Sequence, residues 1–419
     1  MQETQITIDS EIGALNAVMV HRPGREIENM TPATAAEVLY DDILNLQLAV
    51  REHDQLTGVL RRIADVYEFE DLLRDTLADE HMKGLLVDEL VKLFGCEELA
   101  QELKETGDTE LAAQLFQGTP MRKDSLEKYL SPLRHAIPPL PNAFFTRDAV
   151  MAVNESVIIG SMAFKARFAE ALLLKAIFKY HSRIRSDGFY FDGTTSTSQK
   201  ITIEGGDLLV LREDLIMIGY SERTTARGID TLMGAIAEKG GVENFVVVEI
   251  PKSRATIHLD MIFTMVDRDK CVVFPPLITG MHKCRAFHVH YDQKRVKRIV
   301  EYPGVLEALR TQGLDLKPIS CGGDNELRQE REQWASGANF FALAPGHIIG
   351  FEHNQATAEE LAKSGFEIVT ADRFVGEELS LEPGRPTLVT MHGSELSRGG
   401  GGCRCMTMPL NRSLVNWCN

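Results

Sequence analysis

The sequence predicts an α/β fold in which about five strand-rich units form a ring. Three observations predict it. An apolar run, a short polar turn and a second apolar run recur along the chain; helical periodicity follows several of these copies; and one long helical stretch breaks the rhythm. A doubly wound sheet is the alternative architecture that the same order of elements permits.

The first apolar run, residues 14–21, has no partner beside it in sequence, and residues 387–392 are expected to pair with it and close the ring. Complete hairpins are expected at 149–160 (turning at Asn154-Glu155), 207–220 (Arg212-Glu213-Asp214), 261–274 (Asp267-Arg268-Asp269) and 339–351 (Pro345-Gly346-His347). Each sets apolar runs against residues that favour turns. Residues 166–180 and 224–239 carry a helical period behind the first two hairpins. Residues 70–138 read as helices throughout, at 70–78, 81–93, 97–105, 109–117 and 125–130, separated by Gly, Asp and Pro. The expected organisation is an α/β body of residues 1–69 and 139–419 with a helical-bundle insertion at 70–138.

With 419 residues, 44% hydrophobic and 25% charged, the chain suits one large globular domain or two to three smaller ones. A net charge of −16 argues against nucleic acid and anionic membranes as partners and is compatible with a small cationic substrate. The start, Met1-Gln2-Glu3-Thr4, lacks the basic and apolar regions of a signal peptide, and no apolar run reaches membrane-spanning length, so the cytoplasm is the expected location. The seven cysteines (Cys96, Cys271, Cys284, Cys321, Cys403, Cys405 and Cys418) are odd in number and form no CxxC pair, which reads as free thiols in a reducing compartment.

Cys403 and Cys405 stand out because they close the run Gly399-Gly400-Gly401-Gly402 and flank Arg404. Glycines leave backbone open to a substrate, and free N–H groups with a guanidinium are expected to lower a thiol pKa. Polar residues also stand at the entrance to each hairpin: Asp148 after Phe145-Thr146-Arg147, Glu204 and Asp207 around Gly205-Gly206, His258 and Asp260 around Leu259, and Asn339 after Gly337-Ala338. In a ring, equivalent points converge near one axis. On a strand, the spacing of His258 and Asp260 puts both on one face. Taken singly, each has a plain structural reading: a strand-end histidine, an Arg147–Asp148 ion pair, a turn at Glu204–Asp207. The glycines lack GxGxxG or phosphate-loop spacing, which excludes a nucleotide fingerprint. Cys403-x-Cys405 has no second Cys/His pair to complete a zinc site, and His288-x-His290 reads as a half-exposed strand face, so neither metal nor cofactor is expected. A thiolate, a histidine and several carboxylates together suit a cationic, electrophilic guanidinium and not the neutral acyl group of a protease substrate.

The ordered set resembles the arginine deiminase family over nearly the whole chain. The matching stretches are Val20-His21-Arg22-Pro23-Gly24-Arg25-Glu26, Leu39-Tyr40-Asp41-Asp42, Glu52-His53-Asp54, Pro141-Asn142, Phe145-Thr146-Arg147-Asp148, Glu204-Gly205-Gly206-Asp207, Glu222-Arg223-Thr224-Thr225, His258-Leu259-Asp260, Arg331-Glu332-Gln333-Trp334, Gly393-Ser394-Glu395-Leu396 and Cys405-Met406-Thr407-Met408-Pro409. The resemblance implies a five-bladed α/β propeller of ββαβ modules with a helical insertion. It implies hydrolysis of L-arginine to L-citrulline and ammonia without a metal or organic cofactor, and a homo-oligomer, dimer or tetramer. It implies that Cys405 is the nucleophile, that Asp148 and Asp260 hold the guanidinium with help from Glu204, and that His258 is the general acid and base. Asn142, Arg167 and Arg223 stand where members contact the amino-acid end of the substrate, and Phe145 where they pack on its aliphatic part. Members often carry an arginine in the glycine run where this chain has Gly400, and Arg398 or Arg404 is expected to replace it. The Tyr-x-Arg-Asn of many members is Phe351-Glu352-His353-Asn354 here. The rival readings are a dimethylarginine hydrolase or amidinotransferase, and a non-catalytic arginine-binding paralogue.

Overall fold

Five sheets repeat one strand plan: an antiparallel hairpin whose second strand is flanked by a third strand running parallel to it. The structure, a computed structural model, describes residues 3–32, 34–195, 200–292 and 294–417. In the first sheet Val150–Val153 and Ser156–Ile159 form the hairpin and Phe189–Asp192 is the parallel strand. The second uses Leu208–Arg212, Leu215–Tyr220 and Asn244–Glu249; the third uses Phe263–Asp267, Lys270–Val273 and Lys317–Ser320. The fourth uses Phe341–Ala344, His347–Phe351 and Thr387–Met391, with Glu367–Thr370 added at its edge. The fifth joins the two ends of the chain: Met408–Arg412 pairs with Leu15–Val20, and Asp65–Glu68 runs parallel to the latter. Parallel neighbours need a crossover, because a tight turn can only reverse the chain. The helices Phe168–Tyr180, Ala226–Lys239, Val305–Thr311, Gln355–Lys363 and Leu46–Arg61 lie within those crossovers.

All four expected hairpins are present, and residues 14–21 do contain a strand. The expected partner is corrected. Residues 387–392 supply the parallel strand of the fourth sheet, and the chain end closes on Met408–Arg412 instead. Pro409 hides that strand in the sequence, since proline is unusual within a sheet ladder. The second sheet also carries an extra hairpin, Ala286–Asp292 with Arg295–Tyr302. On it His288 and His290 are half-buried and both reach Asn244 Oδ1, at 3.0 and 3.1 Å.

Helices occupy each of the five segments expected in the interrupting region: Phe69–Leu77, Glu80–Phe94, Ala100–Glu105, Asp108–Gln117 and Leu126–Leu130. Asp79 starts the second by accepting the N–H groups of His81 and Met82, at 3.0 and 3.1 Å. The region is not helical throughout, because Thr119–Pro120 and His135–Ile137 form a small antiparallel ladder. These helices pack on Phe168–Tyr180, whose other side lies on the first sheet. That sandwich explains why its sequence is apolar nearly all round. Leu72, Leu111 and Phe116 share one core with Ile158 and Leu173.

The sheets touch in series. The third meets the fourth through Phe263–Asp267 and Phe341–Ala344, the fourth meets the fifth through Phe341–Ala344 and Leu15–Val20, and the fifth meets the first through Met408–Arg412 and Val150–Val153. Short helical turns that lead into the hairpins, Thr146–Ala149, Gly205–Asp207 and Leu259–Met261, complete the series between the first, second and third sheets. No helix among the described residues is long and apolar enough to cross a membrane. Phe116 is fully buried, stacked on His21 at 4.4 Å and edge-on to Phe69 at 4.9 Å. Phe116→Ala is therefore expected to cost about 3–5 kcal/mol of stability in a urea titration, and a loss below ~1 kcal/mol would mean that the helical layer does not share the core.

Candidate active site

The turns at the hairpin entrances bring Asp148, Glu204, His258 and Asp260 together. Residues 258 and 260 do not share a strand face as the spacing suggested: Leu259–Met261 is a single helical turn with His258 just before it. Helical turns stand at the same point before the first and second hairpins and carry Asp148 and Asp207, with Glu204 just ahead of the latter. Gly206 permits the approach, since a Cβ there would lie 2.5 Å from the His258 ring. Cys405 enters from the turn before Met408–Arg412. Asn339 Oδ1 accepts the N–H groups of Arg404 and Cys405, at 3.1 and 3.3 Å, while its Nδ2 donates to the Asp260 carbonyl at 3.1 Å. Asn339 thus ties the cysteine loop to the third sheet. Glu52 accepts the N–H groups of Glu395 and Leu396 at the start of the glycine run.

His258 Nε2 lies 2.9 Å from Glu204 Oε2, and its Nδ1 lies 3.7 Å from Asp148 Oδ1. Burial opposes a charge on this imidazole, but Asp148, the Glu204 hydrogen bond and Asp207 outweigh it and push it up to about 9. Glu204, although buried, is drawn down to about 2 by Arg223, His258 and Arg167. Asp207 accepts from Ser221 Oγ at 2.6 Å and from the Leu259 N–H at 2.9 Å, fixing the turn beside His258, and burial raises it to about 7. Donor atoms of Asp148, Glu204 and His258 all lie within 4.8 Å of one another.

Cys405 Sγ lies 3.8 Å from Asp260 Oδ2. The expectation of a lowered thiol pKa is corrected. Burial raises it well above its usual value, and Asp260 and Asp148 add to that, while Arg404 and the Gly402 backbone oppose them only in part. Arg404 is weak in this respect because its guanidinium is already neutralised by two carboxylates. Its Nε and Nη2 donate to Glu11, at 2.9 and 3.1 Å, and its Nη1 to Asp260 Oδ2 at 2.8 Å. Further donations go to the Leu208 carbonyl at 2.8 Å and the Gly205 carbonyl at 3.5 Å. Every N–H of Arg404 is engaged and the side chain is 1% exposed, so it does not reach a substrate carboxylate, contrary to expectation. Cys403 is buried against Met391, its Sγ 3.6 Å from the Sδ, and burial alone raises its thiol, so it reads as a core residue. All six described cysteines are free and buried; Cys418 lies outside the described residues.

A pocket of about 250 Å³ opens onto Cys405, His258 and Asp148. Phe145 and residues 399–401 form one wall. At Gly401 a Cβ would come 2.6 Å from the Phe145 ring, and Gly400 has φ +88°, so an arginine at 400 would be strained. Asn142, Arg167, Arg223 and Arg398 also line the pocket, the first three buried and Arg398 exposed. Asn142 Nδ2 donates to the Val38 carbonyl at 2.8 Å. Arg167 is engaged with Asp148 and Glu170. Arg223 stacks on Phe164 at 4.6 Å, lies 3.6 Å from Glu204, and makes no side-chain hydrogen bond among the described residues. The mouth is bridged by two ion pairs, Arg398–Asp42 and Arg254–Asp41, with Arg254 also donating to the Leu39 carbonyl. Glu11, Glu170 and Arg254 lie outside the motifs the sequence offers, whereas Trp334 stands in a matching stretch and Asn339 at a hairpin entrance. Glu170 left a faint signal, as a lone acid in an otherwise apolar helix.

Arginine deiminase is the family whose profile matches residues 36–412. The chain belongs to the arginine deiminase family. It is 34% identical to an arginine deiminase of Bacillus cereus (97% of this chain, 98% of that one) and 33% identical to that of Limosilactobacillus reuteri (98% of each). With the arginine deiminase of Mycoplasma capricolum it shares 31% identity over 98% of each chain. Among solved structures, the N-terminal domain of ArgZ, a cyanobacterial arginine dihydrolase, superposes with a TM-score of 0.53 at 14% identity, covering 96% of this chain and 99% of that one. The amidinotransferase SxtG of Microseira wollei gives 0.52 at 14% identity, covering 98% and 99%. At these identities the likeness is one of fold, and that fold is shared among guanidino-modifying enzymes.

The raised thiol makes a measurable difference. Without substrate, iodoacetamide labelling of Cys405, followed by peptide mass spectrometry, is expected to be slow at pH 7 and still rising past pH 9. A rate that levels off below pH 8 would show that a thiolate already exists in the free site.

Proposed function

We propose that this chain hydrolyses L-arginine to L-citrulline and ammonia through a covalent thiouronium on Cys405. The observation that carries the reading is a pair of buried carboxylates, Asp148 and Asp260, each with one oxygen lacking any hydrogen-bond partner, beside a thiol and a charged histidine. A planar cation with several N–H donors supplies what those oxygens lack. Its positive charge also offsets the carboxylates that keep Cys405 protonated, so binding favours the thiolate, whose proton leaves to solvent.

The thiolate attacks the guanidinium carbon, forming the S–C bond. His258, protonated at neutral pH and held by Glu204, gives its proton to the departing nitrogen as the C–N bond breaks and ammonia leaves. The neutral imidazole then takes a proton from water, which attacks the thiouronium carbon; the S–C bond breaks and citrulline is released. Phe145 packs on the aliphatic part of the substrate. The α-carboxylate falls to Arg223, with Asn142 and Arg398 towards the mouth. Arg167 lines the same wall, but its guanidinium is largely engaged with Asp148 and Glu170.

We read the five sheets as the blades of one ββαβ propeller, supported by their common strand plan and serial contacts, with residues 70–138 as a helical-bundle insertion between Asp65–Glu68 and the first sheet. No cofactor enters this scheme. We infer a homo-oligomer, dimer or tetramer, from the family resemblance, and a cytoplasmic location as the one that fits such an enzyme.

The test is an end-point assay with L-arginine, agmatine and dimethylarginine. Equal citrulline and ammonia from arginine alone is the expected result; product only from another guanidine would move the reading to a sister enzyme. Cys405→Ala is expected to abolish turnover while still binding arginine, whereas Cys403→Ala stays active. Because the acid form of His258 in the free enzyme is lost as pH rises through about 9, kcat/KM is expected to fall above that pH. A kcat/KM that climbs steadily to pH 10 would remove His258 from the acid role.

A further inference from the structure

Asp148 and Asp260 are held in the same manner by unrelated parts of the chain. Among the described residues, Asp260 Oδ2 accepts a hydrogen bond from Arg404 Nη1 and has Cys405 Sγ at 3.8 Å, while its Oδ1 accepts none. Asp148 Oδ2 accepts from Arg167 Nη1, and its Oδ1 likewise has no hydrogen bond. Behind each arginine stands a glutamate. Glu11 takes the Nε and Nη2 donors of Arg404. Glu170 takes those of Arg167, with Nε at 3.1–3.2 Å and Nη2 at 2.7 Å. The second Nη2 proton in each case has a backbone carbonyl within reach, Leu208 at 2.8 Å or Phe145 at 3.0 Å.

A guanidinium facing a lone carboxylate takes both of its oxygens in a fork. Neither arginine can do so here, since only Nη1 is left for the aspartate. A carboxylate oxygen buried without a donor is costly, and the cost recurs on both aspartates. We propose that Glu11 and Glu170 are positioning residues that restrict Arg404 and Arg167 to one bond each, so that both aspartates keep an oxygen for the substrate guanidinium. The identity of that cation rests on the arginine deiminase reading; the sharing of each arginine between two carboxylates does not. Neither glutamate lines the pocket, so their effect on substrate passes through the arginines.

The variants are Glu11→Gln and Glu170→Gln. Glutamine keeps one acceptor oxygen and removes the charge, freeing the arginine to fork onto its aspartate. The expected result is a rise in KM for L-arginine of roughly tenfold with kcat changed by less than about threefold. The conservative variants Glu11→Asp and Glu170→Asp, which keep the charge, are expected to recover part of the loss. In Glu11→Gln with Arg404→Lys, an ammonium has no fork to turn onto Asp260, and KM is expected to move back towards the starting value. A second measurement avoids turnover altogether. Calorimetric titration of arginine into Cys405→Ala, with and without each glutamine substitution, is expected to show the same roughly tenfold loss of affinity. Should the starting protein make no citrulline, the reaction assignment fails, while this titration still tests the sharing. Folded glutamine variants with unchanged KM and affinity, altered only in melting temperature, would reduce both glutamates to structural residues and overturn the proposal. The two clusters are built from different segments, residues 11, 260 and 404 in one and 148, 167 and 170 in the other, so a folding failure at one leaves the other decisive.

Discussion

One buried guanidinium organises the centre of this molecule. Arg404 reaches Glu11 near the N-terminus, carbonyls 205 and 208 at the start of the second sheet, and Asp260 at the start of the third, while its own backbone carries Cys405. Ion pairs on a protein surface contribute little, but breaking a buried one strands a charge away from water. Removing any partner from this group would do that, so the position of the thiol is tied to the closure of the chain on itself. Arg147 and Arg412 lie close by, and burial together with the neighbouring guanidinium groups lowers them to about 9 and about 10. The interior tolerates three arginines in this region because Glu11 is held as a carboxylate, down at about 2, against the pull of burial.

Carboxylates act on both His258 and Cys405 in the pocket: they raise the imidazole against the pull of burial, and Asp260 and Asp148 add to the burial that raises the thiol. A charged imidazole can give a proton, whereas a neutral thiol is a weak nucleophile. Cationic side chains line the pocket as well, each beside a carboxylate: Arg167 against Asp148, Arg223 near Glu204, and Arg254 and Arg398 paired with Asp41 and Asp42.

Backbone shape contributes as well. The Phe145 ring lies where a side chain at 401 would stand, and the His258 ring where one at 206 would stand. The glycines in both loops therefore act by what they leave out. Gly400 adds a left-handed turn in the pocket wall, a conformation that a side chain would strain.

The sequence by itself determined the strand-and-helix rhythm, four of the hairpins, the helical stretch and the polar residues at the hairpin entrances. All of these follow from local periodicity and turn chemistry, which are written in neighbouring residues. It also placed Cys405, His258, Asp148, Asp260 and Glu204 in one constellation, because equivalent ends of repeated units meet. Only the tertiary structure decided which strand closes the chain, since Pro409 disguises it, and only burial decided the charge on the thiol. The fate of the arginines was likewise beyond local reading. Arg404 looked available to substrate, yet its partners lie at residues 11 and 260, and no spacing rule connects positions brought together by closure of the whole chain.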